Sequence, residues 1–95
     1  MRIQLAPEAV DDLTAAIEYL HERNPRAAVA MSAAVFDAIE RLAASAFEGP
    51  ERQLRTTGEF VRSWPVRPYR IYYRREPEVF VVLRIHHAAR RPITR

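Results

Sequence analysis

The residues best suited to chemistry in this sequence are arginines and histidines of its second half. Arginine carries a permanent charge on a planar fork of donors, which suits phosphate or carboxylate and does not suit general-base work. His86 and His87 are the only side chains of this half that titrate near neutral pH, so only they could carry a proton in catalysis. The arginines that could meet an anionic target or partner are Arg67, Arg70, Arg74, Arg84, Arg90 and Arg91.

Charge is divided unevenly along the chain. Residues 1–51 hold four Arg and nine acidic residues, whereas residues 52–95 hold eleven Arg and three acidic residues, giving −5 and +8. All 15 basic residues are Arg, a preference that a biased genome could also produce. The basic second half indicates an acidic partner, either nucleic acid or an acidic protein segment.

Length and composition limit the protein further. A chain of 95 residues predicts one domain, residues 1–95, and 48% hydrophobic residues suffice for a core. The absence of Cys excludes disulfides, thiolate zinc sites and cysteine nucleophiles, and three scattered histidines predict no metal; we expect no cofactor. Because no signal segment and no run of about 20 apolar residues is found, we expect a cytoplasmic protein without a membrane contact.

The first half of the sequence predicts a short strand and two helices, on which the sheet that carries the candidate arginines and histidines must pack. Residues 1–5 alternate as a short strand with one buried face, and Pro7 suits the first turn of a helix running to about residue 22. Asn24 is predicted to cap a second helix that continues to Gly49-Pro50. The stripes predicted to be buried are Val10, Leu13, Ile17 and Leu20 in the first helix, and Ala28, Met31, Val35, Ala38, Ile39 and Leu42 in the second.

Strand-forming residues follow the helices. Residues 60–66, 69–75 and 79–86 are rich in β-branched and aromatic side chains, with proline-containing breaks between them. We predict an irregular segment at 47–59 and a frayed basic tail at 90–95. The fold class is α+β: an N-terminal strand, an antiparallel helical hairpin, then a three-stranded antiparallel segment completing one sheet. Alternation does not show which face of these strands meets the helices.

Four segments carry a family signature. They are Leu-Ala-Pro-Glu-Ala at 5–9, Val-Arg-Pro-Tyr-Arg-Ile-Tyr-Tyr-Arg at 66–74, Val-Val-Leu-Arg-Ile at 81–85 and His-His-Ala-Ala-Arg-Arg-Pro at 86–92. The chain resembles the RelE/ParE superfamily, and more closely its ParE branch. This resemblance implies the toxin of a type II toxin–antitoxin pair, held in a hetero-oligomer by an antitoxin that is ParD-like or another small DNA-binding protein. It implies DNA gyrase as the target in the ParE branch, and messenger RNA cleavage on the ribosome in the RelE branch.

The candidate residues favour binding over cleavage. RNA cleavage needs a base, an acid and cations at the phosphate, and Arg70 matches a catalytic arginine of RelE-like nucleases. The chain has no Lys and no aromatic residue after Phe80, which departs from those nucleases. A nuclease would therefore have to use Arg70, Arg84, His86 and His87.

Structural roles compete with these functional ones. Arg70 is also expected to pair with a carboxylate across the sheet, and consecutive histidines face opposite ways, so at most one reaches a given site. The aromatic residues interleaved with arginine could stack on nucleobases or fill the core; they are Trp64, Tyr69, Tyr72 and Tyr73. A third hypothesis is an inactive remnant that still binds an antitoxin.

Overall fold

The computed structural model describes residues 1–45, 51–53 and 60–88. The elements are β1 Arg2–Leu5, α1 Pro7–Arg23, α2 Pro25–Ala44, β2 Glu51–Gln53, β3 Phe60–Val66, β4 Tyr69–Arg75 and β5 Val79–His87. The predicted α+β order of strand, helical hairpin and three strands is confirmed. The expected frayed tail at 90–95 lies outside the described residues.

The helices begin where the sequence predicts. Pro7 opens α1, and the Asn24 side chain accepts a hydrogen bond from the Ala27 N–H at 3.2 Å at the start of α2. The predicted end of α2 at Gly49 is wrong. The helix stops at Ala44 because Ser45 turns to extended backbone with ψ 153°, and Arg75 donates to the Leu42 carbonyl at 3.0 Å.

The buried stripe of α1 also differs from the prediction. Ala9, Leu13 and Ala16 are buried, whereas Val10 is 46% exposed. Val10 lies about 100° around the helix from Ala9, on the flank of the contact. Small alanines occupy its centre, which lets the helix approach its neighbours closely. The stripe of α2 is confirmed: Ala28, Val35, Ile39 and Leu42 are buried, and Met31 and Ala38 are partly buried. Ala43 is buried in addition.

The sheet has the order β1-β5-β4-β3-β2, and β1 is parallel to β5 while the other neighbours are antiparallel. β2 lies inside the segment 47–59, which we predicted to be irregular. The sequence did not reveal this strand, because three residues are too few to show an alternating pattern. β1 was expected to bury one face, but Met1 is 58% and Ile3 37% exposed, and only Leu5 packs against the core. The strand lies at the sheet edge, where the helices give little cover.

The core lies between the helices and one face of the sheet. Tyr69, Ile71 and Tyr73 of β4 belong to it, and Tyr73 stacks on Phe80 with ring centroids 4.8 Å apart. The alternate residues of β4, which are Arg70, Tyr72 and Arg74, therefore lie on the opposite side, here called the helix-free face. In the part of the chain that is described, no helix is long and apolar enough to cross a membrane.

Candidate functional site

A groove runs between α2 and the end of the sheet that carries β3. Two cavities of about 410 and 460 Å³ form it, and they share Val66. Apolar side chains dominate both walls of the groove. The wall opposite α2 is made by the sheet and extends from Tyr69 to Trp64. We call this surface the α2–β3 groove; its α2 wall is made by Ala27, Met31, Ala34, Ala38 and Leu42.

Charged groups stand at the two ends of the α2–β3 groove. Arg67 lies at one end, in the turn between β3 and β4, and is exposed. No carboxylate among the described residues pairs with it. At the other end Asp37 and Arg41 pair at 2.9 Å, with more than half of each side chain exposed. The Arg67 end therefore carries a cation that a partner's carboxylate could meet.

The two adjacent histidines lie on opposite faces of β5, as the alternation predicts. His87 lines the α2–β3 groove and meets the Tyr69 ring edge-on, with centroids 5.2 Å apart. His86 lies opposite Arg70 in the β4–β5 register, on the helix-free face. Of the two histidines, His86 therefore lies on the same face as Arg70, and His87 does not.

Arg70 is held by a neutral partner. Its Nη1 donates to the Ser63 hydroxyl at 3.0 Å, and the Ser63 side chain is fully buried in β3. The expectation that Arg70 pairs with a carboxylate across the sheet is wrong for the described residues, in which no such pair is formed. Pro65 and His86 face it in the neighbouring strands, and neither is acidic.

Two other candidate arginines are engaged by carboxylates. Arg84 donates to both Asp12 oxygens, at 2.7 and 2.9 Å, and this hydrogen bonding raises the pKa of Arg84 while burial opposes the rise. Arg74 pairs with Glu76 at 2.9 Å. Arg90 and Arg91 lie outside the described residues. Among the described residues, the candidates thus separate into Arg67 and Arg70, which pair with no carboxylate, and Arg74 and Arg84, which each pair with one.

Two residues of this arrangement were not singled out from the sequence. They are Asp12 of α1 and Ser63 of β3. Neither could be found by spacing, because their partners are 72 and 7 residues away. The packing of α1 on β5 brings Asp12 to Arg84, and the pairing of β3 with β4 brings Ser63 to Arg70. Of the aromatic candidates, Tyr69 and Tyr73 fill the core, whereas Tyr72 lies on the helix-free face.

Residues 3–92 match the family described as ParE toxin of type II toxin-antitoxin system, parDE. The chain belongs to the ParE toxin family. This assignment confirms the resemblance to the RelE/ParE superfamily and the preference for its ParE branch.

The fold of this ParE-family chain is similar to that of a solved protein from P. aeruginosa described as "Chromosomal ParDE TA system from P. aeruginosa". The TM-score is 0.70 and the sequence identity 22%, over 92% of this chain and 95% of that one. At this identity the likeness shows a shared fold. No curated protein matches the sequence significantly.

Proposed function

We propose that this ParE-family chain is a cytoplasmic toxin that stops bacterial growth by binding DNA gyrase, and that a cognate antitoxin neutralises it by occupying the α2–β3 groove. The family supports the toxin role. The gyrase target is what the resemblance to the ParE branch implies. The groove is the observation that supports neutralisation by a bound segment, because it is apolar and borders a cation that has no carboxylate among the described residues.

The α2–β3 groove has the dimensions of a helix-binding site. Its lining extends along α2 from Ala27 to Ser45, about 27 Å at roughly 1.5 Å per residue. An amphipathic segment of an antitoxin would place its apolar residues against Met31 and Val66, the recognition mode of a helix in a groove. A carboxylate at one end of that segment would meet Arg67. Rim charges of this kind chiefly speed association and set the orientation of the partner.

The division of the arginines supports binding to a target without bond cleavage. Arg84 and Arg74 are already held by Asp12 and Glu76, so they have fewer donors to offer a scissile phosphate. Only one histidine shares a face with Arg70, whereas cleavage needs both a base and an acid. We propose Arg67 and Arg70 as the contact residues of the described part, with Arg90 and Arg91 as further candidates.

The deciding experiment is a supercoiling assay with purified gyrase, run beside a translation reaction in which messenger RNA integrity is followed. We expect supercoiling to be blocked, or cleaved DNA to accumulate, with the message intact. Addition of the cognate antitoxin should restore supercoiling. Ribosome-dependent message cleavage with normal supercoiling would overturn the gyrase target and favour a RelE-like nuclease.

A double substitution controls for catalysis. His86→Ala combined with His87→Ala removes both histidines of the second half, the side chains best suited to transfer a proton there, and growth inhibition should persist if the toxin only binds. Loss of inhibition with retained fold and retained antitoxin binding would favour the nuclease. Soluble wild-type protein that leaves growth unaffected would indicate an inactive remnant.

A further inference from the structure

We propose that the protein forms a homodimer through the outer surface of α2, in which the α2 helices of two copies lie antiparallel. We call this surface the α2 outer seam; its residues are Arg26, Val29, Ala33, Phe36 and Glu40. None of them lines the α2–β3 groove, so a dimer of this kind leaves the groove open. The inference goes beyond the proposed function, because self-association requires neither gyrase nor the antitoxin.

The spacing of the α2 outer seam is that of a helix-pairing surface. Its members follow one another at intervals of three, four, three and four residues, which places them along one side of α2. All five residues are exposed, and the two large apolar ones, Val29 and Phe36, are 71% and 41% exposed. Large apolar side chains that recur at this spacing on an exposed side of a helix are typical of a surface that another helix covers.

The charges at the two ends of the seam favour α2 of a second copy as that helix. Arg26 lies seven residues before Ala33 and Glu40 seven residues after it, so the two charges are about 21 Å apart along α2, at roughly 1.5 Å per residue. Neither forms an ion pair among the described residues. When two α2 helices lie antiparallel and cross at Ala33, Arg26 of each copy meets Glu40 of the other. A parallel arrangement would instead bring like charges together, which opposes association.

The central residues of the seam fit the same arrangement. Ala33 lies at the crossing, where a small side chain lets the two helix axes approach closely. Val29 is four residues before Ala33 and Phe36 three residues after it, so Val29 of one copy packs on Phe36 of the other. In a two-fold interface the same patch of each copy supplies both halves of every contact. The order of basic, apolar, small, apolar and acidic residues along the seam meets this requirement.

The first test uses the absence of cysteine from the chain. Ala33→Cys puts a single thiol at the crossing, and mild oxidation of the purified full-length chain should give a disulfide-linked dimer, because the two-fold axis brings the two thiols together. Ala34→Cys is the matched control, since Ala34 is also exposed but lies about 100° around α2, in the groove wall. That variant should remain a monomer in non-reducing gel electrophoresis. Equal cross-linking of the two variants would contradict the seam.

An exchange of charges tests the antiparallel pairing. Sedimentation equilibrium of the full-length chain from about 1 to about 200 µM covers the dissociation constants expected of a small interface made by one helix of each copy. Arg26→Glu and Glu40→Arg should each weaken dimerisation by about tenfold, because like charges then meet. A chain that carries both substitutions should dimerise about as strongly as the wild type, since each ion pair is restored with its charges exchanged. A double variant as weak as either single variant would overturn the antiparallel register.

Val29→Asp separates a second copy from other occupants of the seam. Because Val29 is 71% exposed, the variant should keep its fold in thermal unfolding, while dimerisation should fall by at least about tenfold. Its affinity for the antitoxin should match that of the wild type, since the seam and the groove share no residue. A wild-type chain that is monomeric at about 200 µM would overturn the inference. In that case, loss of gyrase inhibition or of antitoxin affinity in Val29→Asp would assign the seam to that partner.

Discussion

Arg84 of β5 and Asp12 of α1 form a two-pronged ion pair, with Nε–Oδ2 and Nη2–Oδ1 distances of 2.7 and 2.9 Å. Asp12 Oδ2 also accepts from the Ile85 backbone N–H at 2.9 Å. The pairing of β1 with β5 ends at Leu5 and Val82. Beyond that point the edge of β5 is not paired with β1, and the Ile85 N–H donates to Asp12 instead. One helix carboxylate thereby fixes the helix against the strand.

Asp12→Asn should destabilise the fold by about 2 kcal/mol, because it weakens charge-assisted hydrogen bonds to a partly buried guanidinium. Asp37→Asn is the matched control: the Asp37–Arg41 pair is 61% and 81% exposed and should change stability by at most about 0.5 kcal/mol. Urea denaturation measures both changes. Equal effects would mean that the Asp12 contacts do not hold the helix to the strand.

The stabilisation by Arg84 should be insensitive to alkaline pH. Hydrogen bonding to Asp12 raises the pKa of Arg84 above its ordinary value. A raised pKa stabilises the fold at every pH below the ordinary value, and this contribution is lost only as pH rises through the raised pKa. The difference in unfolding free energy between wild type and Asp12→Asn should therefore stay constant from neutral to about pH 10. A steady decline of that difference over this interval would contradict the pairing.

Asn24→Ala should destabilise the protein by about 1 kcal/mol, since the Ala27 N–H loses its side-chain acceptor at the start of α2. Asn24→Asp keeps an acceptor oxygen and should retain most of the stability. Thermal unfolding compares the two variants with the wild type. If the aspartate variant were as unstable as the alanine variant, capping would not be the cause.

Ala34→Glu should weaken antitoxin binding by about tenfold, which corresponds to about 1.4 kcal/mol. The substitution puts a long charged side chain into the apolar α2–β3 groove. Ala33→Glu is the control, because Ala33 is also exposed on α2 but does not line the groove. Calorimetric titration with the cognate antitoxin measures the affinities. Similar losses for both variants would place the antitoxin elsewhere.

The sequence alone was sufficient for both helices, for four of the five strands that the structure describes, and for the family. Pro7 and Asn24-Pro25 mark helix starts through local chemistry, and the β-branched and aromatic runs mark β3, β4 and β5. These signals lie within a few residues of one another, so no tertiary contact is needed to read them. Where a signal was short or came from distant contacts, the prediction was wrong, as for β2 and for the end of α2 at Ala44.

Only the tertiary structure decided what each candidate residue can do. Strand alternation separates Tyr69 from Arg70, but it cannot tell which of them meets the helices, because that depends on the side from which the hairpin packs. The same packing brings Asp12 to Arg84 and leaves Arg70 with Ser63. By charge alone, Arg84 and Arg70 are equivalent. Their partners, which come from other elements, determine that Arg84 anchors a helix through a carboxylate and that Arg70 donates to a neutral hydroxyl.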